Sequence, residues 1–174
     1  MGRAGGRRRP MVIAAAAVAT VLVAVGLYWF EPWKLWQEVT IREALPRTTA
    51  SASAQAAPET LARGTLISHE HTTSGTARVL RLPDGSRILR LEGLDTSNGP
   101  DLRVWLTDAP VKEGTDGWYV FDDGKHVSLG ALKGNKGDQN YPIPADVNLS
   151  EYTSVSIWCD RFDVSFGAAA LTPV

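Results

Sequence analysis

Cysteine occurs once in this sequence of 174 residues, at Cys159. That scarcity excludes an intrachain disulfide framework, a C-x-x-C zinc site and a C-x-x-C-H haem attachment. Any disulfide would join Cys159 to another chain or to a small thiol. Methionine is nearly as rare. Its two copies, Met1 and Met11, sit at the N-terminus, so the rest of the chain has no methionine to offer a metal or haem. There is no Gly-x-Ser-x-Gly, His-Glu-x-x-His, P-loop or dinucleotide fingerprint. Asp95, Asp101, Asp122, Asp123 and Asp138 do not fall at EF-hand spacing. A surplus of positive charge is missing too. The formal net charge is −1, and from Ala62 onward acids outnumber bases 15 to 11, a net of −4. Phosphate contacts need a basic footprint, so nucleic acid is not an expected partner. Nothing in this inventory specifies an enzyme.

What the chain does have is one long uncharged run, residues 11–30, MVIAAAAVATVLVAVGLYWF. About 20 apolar residues cross the hydrocarbon core as a helix. A basic tail over residues 1–10, with Arg3, Arg7, Arg8 and Arg9, precedes it. The positive-inside rule keeps such a tail cytoplasmic and sends the remainder of the chain outside. Tyr28, Trp29, Trp33 and Trp36 gather at the far end, where aromatic rings sit at headgroup level. A cleavable signal peptide would have an apolar core of about 7–15 residues closely followed by an A-x-A site. Here Ala50-Ser51-Ala52 and Ala52-Ser53-Ala54 come long after Phe30. No cysteine follows the run to carry a lipid, and the residues after the arginine pair do not support a twin-arginine signal. The run therefore reads as an uncleaved, single-pass anchor in a bacterial cell membrane.

Residues 31–61 read as a juxtamembrane segment and linker. EPWKLWQEVTIREAL (31–45) has Trp33, Trp36 and Val39 near helical spacing, and reads either as a short amphipathic helix or as an aromatic tether. PRTTASASAQAAP (46–58) is small and polar, a flexible linker. From Ala62 to Val174 the texture changes to short β-like runs between turn residues. Strands are predicted at 65–68, 76–82, 86–94, 101–107, 127–132 and 138–144, with a short one at 118–121 inside a long polar connection and a helical turn at 146–152. Pro83-Asp84-Gly85 marks a hairpin turn. Seven or eight short strands at this spacing indicate an all-β fold, an antiparallel β-sandwich or small barrel, behind one transmembrane helix.

The stretch 152–171, YTSVSIWCDRFDVSFGAAAL, reads as the closing pair of strands. Val155, Ile157 and Cys159 share one face by alternation, and Ser154, Ser156, Trp158 and Asp160 share the other. The first face is the expected core face. Cys159 then has two readings: a small apolar core residue, or a thiol kept for redox or metal chemistry. Arg161 and the three histidines are the candidate activators or ligands. His69 and His71 form an H-x-H pair that would point two imidazoles to one side of an extended segment. With His126 and Cys159 they have the ligand types of a copper or zinc site, Gln139 or a carbonyl standing in for an axial methionine. Gly99, Pro100 and Asp101, and Asp138 and Asn140 beside Gly137, read as turn-fixing residues.

Four blocks in register carry a family resemblance: EHTTSGTARV (70–79), LEGLDTSNGPDLRVWL (91–106), LGALKGNKGDQNYPIP (129–144) and YTSVSIWCDRFDVSFGAAAL (152–171). Together they resemble the DM-thirteen domain, an electron-transfer module found beside DOMON domains, over residues 63–172. The resemblance implies that Cys159 matches the family's characteristic cysteine, acting in redox chemistry either bare or by helping to hold a haem. His71 matches a recurring family position, whereas His69 departs from it. It also implies a redox partner protein. The competing expectation is an extracytoplasmic binding or adhesion module whose cysteine is only structural.

Overall fold

The uncharged run forms a helix, α1, Arg8–Phe30, long and apolar enough to cross a membrane. The computed structural model describes residues 8–46 and 57–174. Arg3, Arg7 and most of the expected linker lie outside them. Pro32–Trp36 winds as a single 3-10 turn rather than extending a helix through 31–45. Residues 8–34 and 35–174 are two separate units.

Among its described residues the second unit carries eleven strands: β1 Thr40–Arg42, β2 Glu59–Thr65, β3 Ile67–Ser68, β4 Ser74–Arg81, β5 Arg87–Asp95, β6 Leu102–Thr107, β7 His126–Ala131, β8 Lys136–Ile143, β9 Ser154–Cys159, β10 Val164–Ala170 and β11 Thr172–Pro173. They make two sheets, β1-β8-β5-β4-β2-β11 and β3-β10-β9-β6-β7. The fold is thus a sandwich and not a closed barrel. Its inner faces meet in one apolar cluster. Ala77, Val79, Leu89, Leu91 and Tyr141 come from the first sheet, and Val104, Leu106, Val155, Ile157, Cys159 and Phe166 from the second. Alternation along β4, β5, β6 and β9 dictates this, because side chains two apart point the same way.

Three sequence expectations need correction. The domain begins before Ala62: β1, within the juxtamembrane segment, pairs with β8, and it does so in parallel, the one departure from antiparallel pairing among the described residues. Three residues with no alternation of their own give no strand signal. What holds them is Asn135, whose Oδ1 accepts from the Val39 N–H at 2.7 Å, and the ladder beyond it. Second, residues 118–121 form no strand. Trp118, Val120 and Phe121 have strand-forming side chains, but they follow a 3-10 turn at Gly114–Gly117 and pack down onto the second sheet. Third, Asp138 and Asn140 do not sit in a turn. They lie in β8 and grip Arg90 of β5. Arg90 Nη2 reaches Asp138 Oδ2 at 3.1 Å, Nη1 reaches Asn140 Oδ1 at 2.9 Å and the Glu43 carbonyl at 3.0 Å, and Nε reaches Glu92 Oε1 at 2.8 Å. The helical turn is where expected, at Leu149–Glu151, capped by Asn148 Oδ1 accepting from the Ser150 N–H.

Candidate functional site

β9 is buried along its whole length. Its inner parity, Val155, Ile157 and Cys159, faces the sandwich core, as predicted. Its outer parity lies beneath the long connection 108–125, which roofs the second sheet. Ala109 and Phe121 come down from that roof to meet Trp105, Trp158 and Ala168. The roof is pinned at Ser165, whose N–H donates to the Trp118 carbonyl at 2.8 Å. Gly117 is required there, because a Cβ would strike the Lys112 carbonyl and lie 2.9 Å from His69 Nε2.

Cys159 has 0 % of its surface exposed. Burial pushes its thiol above the ordinary value, and the Asp101 carboxylate adds to that push. The backbone amides of Arg161, Phe162 and Asp101 pull the other way; that of Phe162 closes the turn by donating to the Cys159 carbonyl at 3.2 Å. The thiol is therefore protonated and shielded. Arg161 acts on it through its backbone amide.

The three histidines are not brought together at Cys159. The chain bends at 69–72, so the H-x-H pair does not present both rings to one side. His69 goes outward, 5.6 Å from the Phe121 ring. His71 turns inward onto Phe166 at 4.0 Å and pairs with Glu70 at 2.6 Å. His126, at the start of β7, is exposed and stacks on Trp105. Among the described residues no three His, Cys, Asp or Glu are grouped to hold a metal ion. Gln139 is committed elsewhere, its Nε2 donating to the Gly134 carbonyl at 2.7 Å and its Oε1 accepting from Tyr141 at 2.7 Å. The donor set for copper is thus dispersed, and the closed packing around Cys159 leaves no open position at its sulfur for a copper or haem iron.

His69 is buried and not solvated. Its Nε2 lies 3.0 Å from the Lys112 carbonyl, which only accepts, so Nε2 carries the proton. Nδ1 then accepts from Ser165 Oγ at 2.8 Å, and Ser165 accepts from Ser156 at 3.0 Å. Burial lowers the His69 pKa against the opposing pull of Lys112. Gly99 packs tightly on Phe166 and Leu102. Asp101, after Pro100, pairs with Arg103 at 3.2 Å, and Arg103 reaches Asp160 at 2.7 Å. Burial raises the Asp160 pKa, and Arg103 opposes it.

The residues the sequence did not single out are aromatic. β6 lies beside β9 with Arg103 opposite Trp158 and Trp105 opposite Ser156, which makes Trp105 and Trp158 diagonal neighbours on the outer face. Their rings stack at 5.0 Å and 23°. His126 lies over Trp105 at 4.0 Å and 8°, and Phe121 meets Trp158 edge-on at 6.4 Å. A tryptophan on the non-core parity of each of two strands was the available signal. Their adjacency was not, since it depends on strand order.

A family model described as electron transfer DM13 matches residues 65–171. No curated protein and no solved structure matches the chain.

Proposed function

This chain belongs to the DM13 electron-transfer family, and on that premise we propose that it is a membrane-tethered redox module of the cell envelope, with Cys159 as its centre. Residues 11–30 serve as an uncleaved anchor, the N-terminus stays cytoplasmic and the β-domain works outside with a redox partner protein. The uncharged run 11–30 within α1 and the arginines before that run support that topology. The observation that carries the redox reading is the family match, which covers Cys159. Backbone amides of Arg161, Phe162 and Asp101 that favour the charged form of its thiol, inside an otherwise apolar cluster, support it.

Full burial of Cys159 favours a second reading, a binding or adhesion module with a structural cysteine. One titration separates the two. The full chain in detergent micelles is titrated under nitrogen with hexachloroiridate(IV), a one-electron oxidant, and then with ascorbate. On the redox reading the wild type takes up and returns more oxidising equivalents than Cys159→Ser, while both give the same circular dichroism. Equal uptake by the two proteins gives the binding-module reading the field.

A further inference from the structure

A shielded thiol raises a question of access. The outer face of β6 and β9 answers it. We propose that His126, Trp105 and Trp158 form a relay that carries single electrons between the protein surface and Cys159. The proposal rests on the reading of Cys159 as the redox centre and supplies its route.

The series runs from solvent inward. His126 is exposed, Trp105 is 7 % exposed and Trp158 is 1 % exposed. Each ring is in stacking contact with the next, at 4.0 Å and then 5.0 Å between centroids. Trp158 and Cys159 are consecutive in β9. The indole stands on the outer face and the thiol on the inner face, with one peptide unit between them, about 3.8 Å from Cα to Cα. Tunnelling rates fall exponentially with gap, so short contacts in series outperform one long jump. Indole is also among the side chains that give up an electron most readily, and aliphatic side chains would fill the same space without that property.

A second observation bears on the step. Trp105 Nε1 is buried without a hydrogen-bond partner among the described residues, as Trp118 Nε1 is outside the stack. Such a group is costly in a structural role. In a relay it has a use. With no acceptor at hand, the oxidised indole keeps its proton, so the step remains a pure electron transfer.

The step balances as follows. A one-electron acceptor docked over His126 takes an electron from Trp105, leaving an indole radical cation. Trp158 refills Trp105. The Cys159 S–H bond then breaks. Its electron goes to Trp158 and its proton to the Asp101 carboxylate, the charge that bears on the thiol and that otherwise pairs with Arg103, leaving a thiyl radical. A one-electron donor of the ascorbate class returns the electron, the proton goes back to sulfur, and one electron has passed from donor to acceptor. The thiol never meets solvent.

Pulse radiolysis of the full chain in detergent micelles tests this, with the azide radical as oxidant and indole-radical absorbance as the readout. The wild type should show a fast decay phase independent of protein concentration, as the hole moves from indole to sulfur. Cys159→Ser should abolish that phase. Trp158→Phe, which keeps an aromatic ring in place, should lose most of it with Cys159 still present. A fast phase that survives Trp158→Phe but not Cys159→Ser overturns the relay and leaves Cys159 as the centre. A phase unchanged by Cys159→Ser overturns the underlying reading. His126→Ala alters only an exposed residue, so folding is not at stake. It should change the rate at which bulky hexachloroiridate(IV) draws its first electron, and an unchanged rate also overturns the relay.

Discussion

Replacing Arg90 with methionine tests the least expected part of the architecture, the tie between β5, β8 and the segment after β1. The Arg90 side chain is 8 % exposed, and it joins Glu92, Asp138, Asn140 and the Glu43 carbonyl. Methionine keeps most of the apolar stem and removes the charge. Glu92 and Asp138 are 32 % and 42 % exposed, so they regain water and their loss is discounted heavily. Asn140 Oδ1 and the Glu43 carbonyl lose a buried donor, at about 1–3 kcal/mol each. The expected destabilisation is roughly 3 kcal/mol, at the lower end for breaking a buried charged network. At about 3 °C per kcal/mol for a chain of this size, the melting temperature of the full protein in detergent should fall by roughly 10 °C. Limited proteolysis should also cut sooner in 40–46, because that segment loses its anchor. A loss below about 1 kcal/mol would refute the reasoning, since it would mean the network behaves as an ordinary solvated surface pair.

Two further outcomes follow from the same geometry. The His69 pKa is lowered by burial, so the unfolded chain binds the proton more tightly than the folded one. Stability should therefore fall as pH drops below about 6.5, by at most about 1.4 kcal/mol per pH unit, and level off below the folded pKa. Urea melts at stepped pH should show this slope in the wild type and a flatter one in His69→Gln; matching slopes would clear His69 of the effect. At the irregularity in β10, Gly167→Ala would bring a Cβ to 2.6 Å from Thr73 Cβ and Cγ2 and 2.7 Å from the Ile67 carbonyl. Overpacking of that kind costs about 1–3 kcal/mol, and a thermal melt superimposable on the wild type would show the bulge to be looser than it looks.

Much of the sandwich was legible because one face of each sheet is buried. Alternation in Leu89-Leu91, Val104-Leu106 and Val155-Ile157-Cys159 can be satisfied in only one way. The hairpin at Pro83-Asp84-Gly85 was legible because its chemistry is local: Asp84 Oδ1 accepts from the Ser86 N–H, and Gly85 takes a φ of 83°. What stayed hidden was set by distant partners. Thr40–Arg42 is a strand because β8 offers an edge, and no short-range pattern encodes that. Trp118–Phe121 has the composition of a strand, but Trp118 packs on the main core and Val120 and Phe121 were claimed by the outer face of the second sheet, which Ser154, Ser156 and Ser165 made look solvated. Those serines are buried and paired to one another or to backbone carbonyls. The same disguise concealed the stacked indoles. Of the site residues, the burial parity of Cys159 was readable and its distance from the histidines was not.

Seen as a mechanical part, β1 is a fuse. It meets β8 at three residue pairs, Thr40 with Lys136, Ile41 with Gly137 and Arg42 with Asp138. Any pull along the chain from its N-terminal side loads the Val39–Asn135 contact and those three pairs first. The next strand, β2, is held along its length by β4 and starts only at Glu59. Releasing β1, and with it the 43–45 stretch that Arg90, Asn140 and the Leu80, Leu82 and Ile88 cluster hold, lengthens the tether while the main core between the sheets stays closed. The sixteen residues from Glu43 to Pro58 add up to about 55 Å of extended chain. The same event strips the cover from one side of β8 and leaves a bare strand edge, ready to accept another. Tension would thus be converted into reach and into an open pairing surface, with the indole stack and Cys159 left undisturbed in the other sheet.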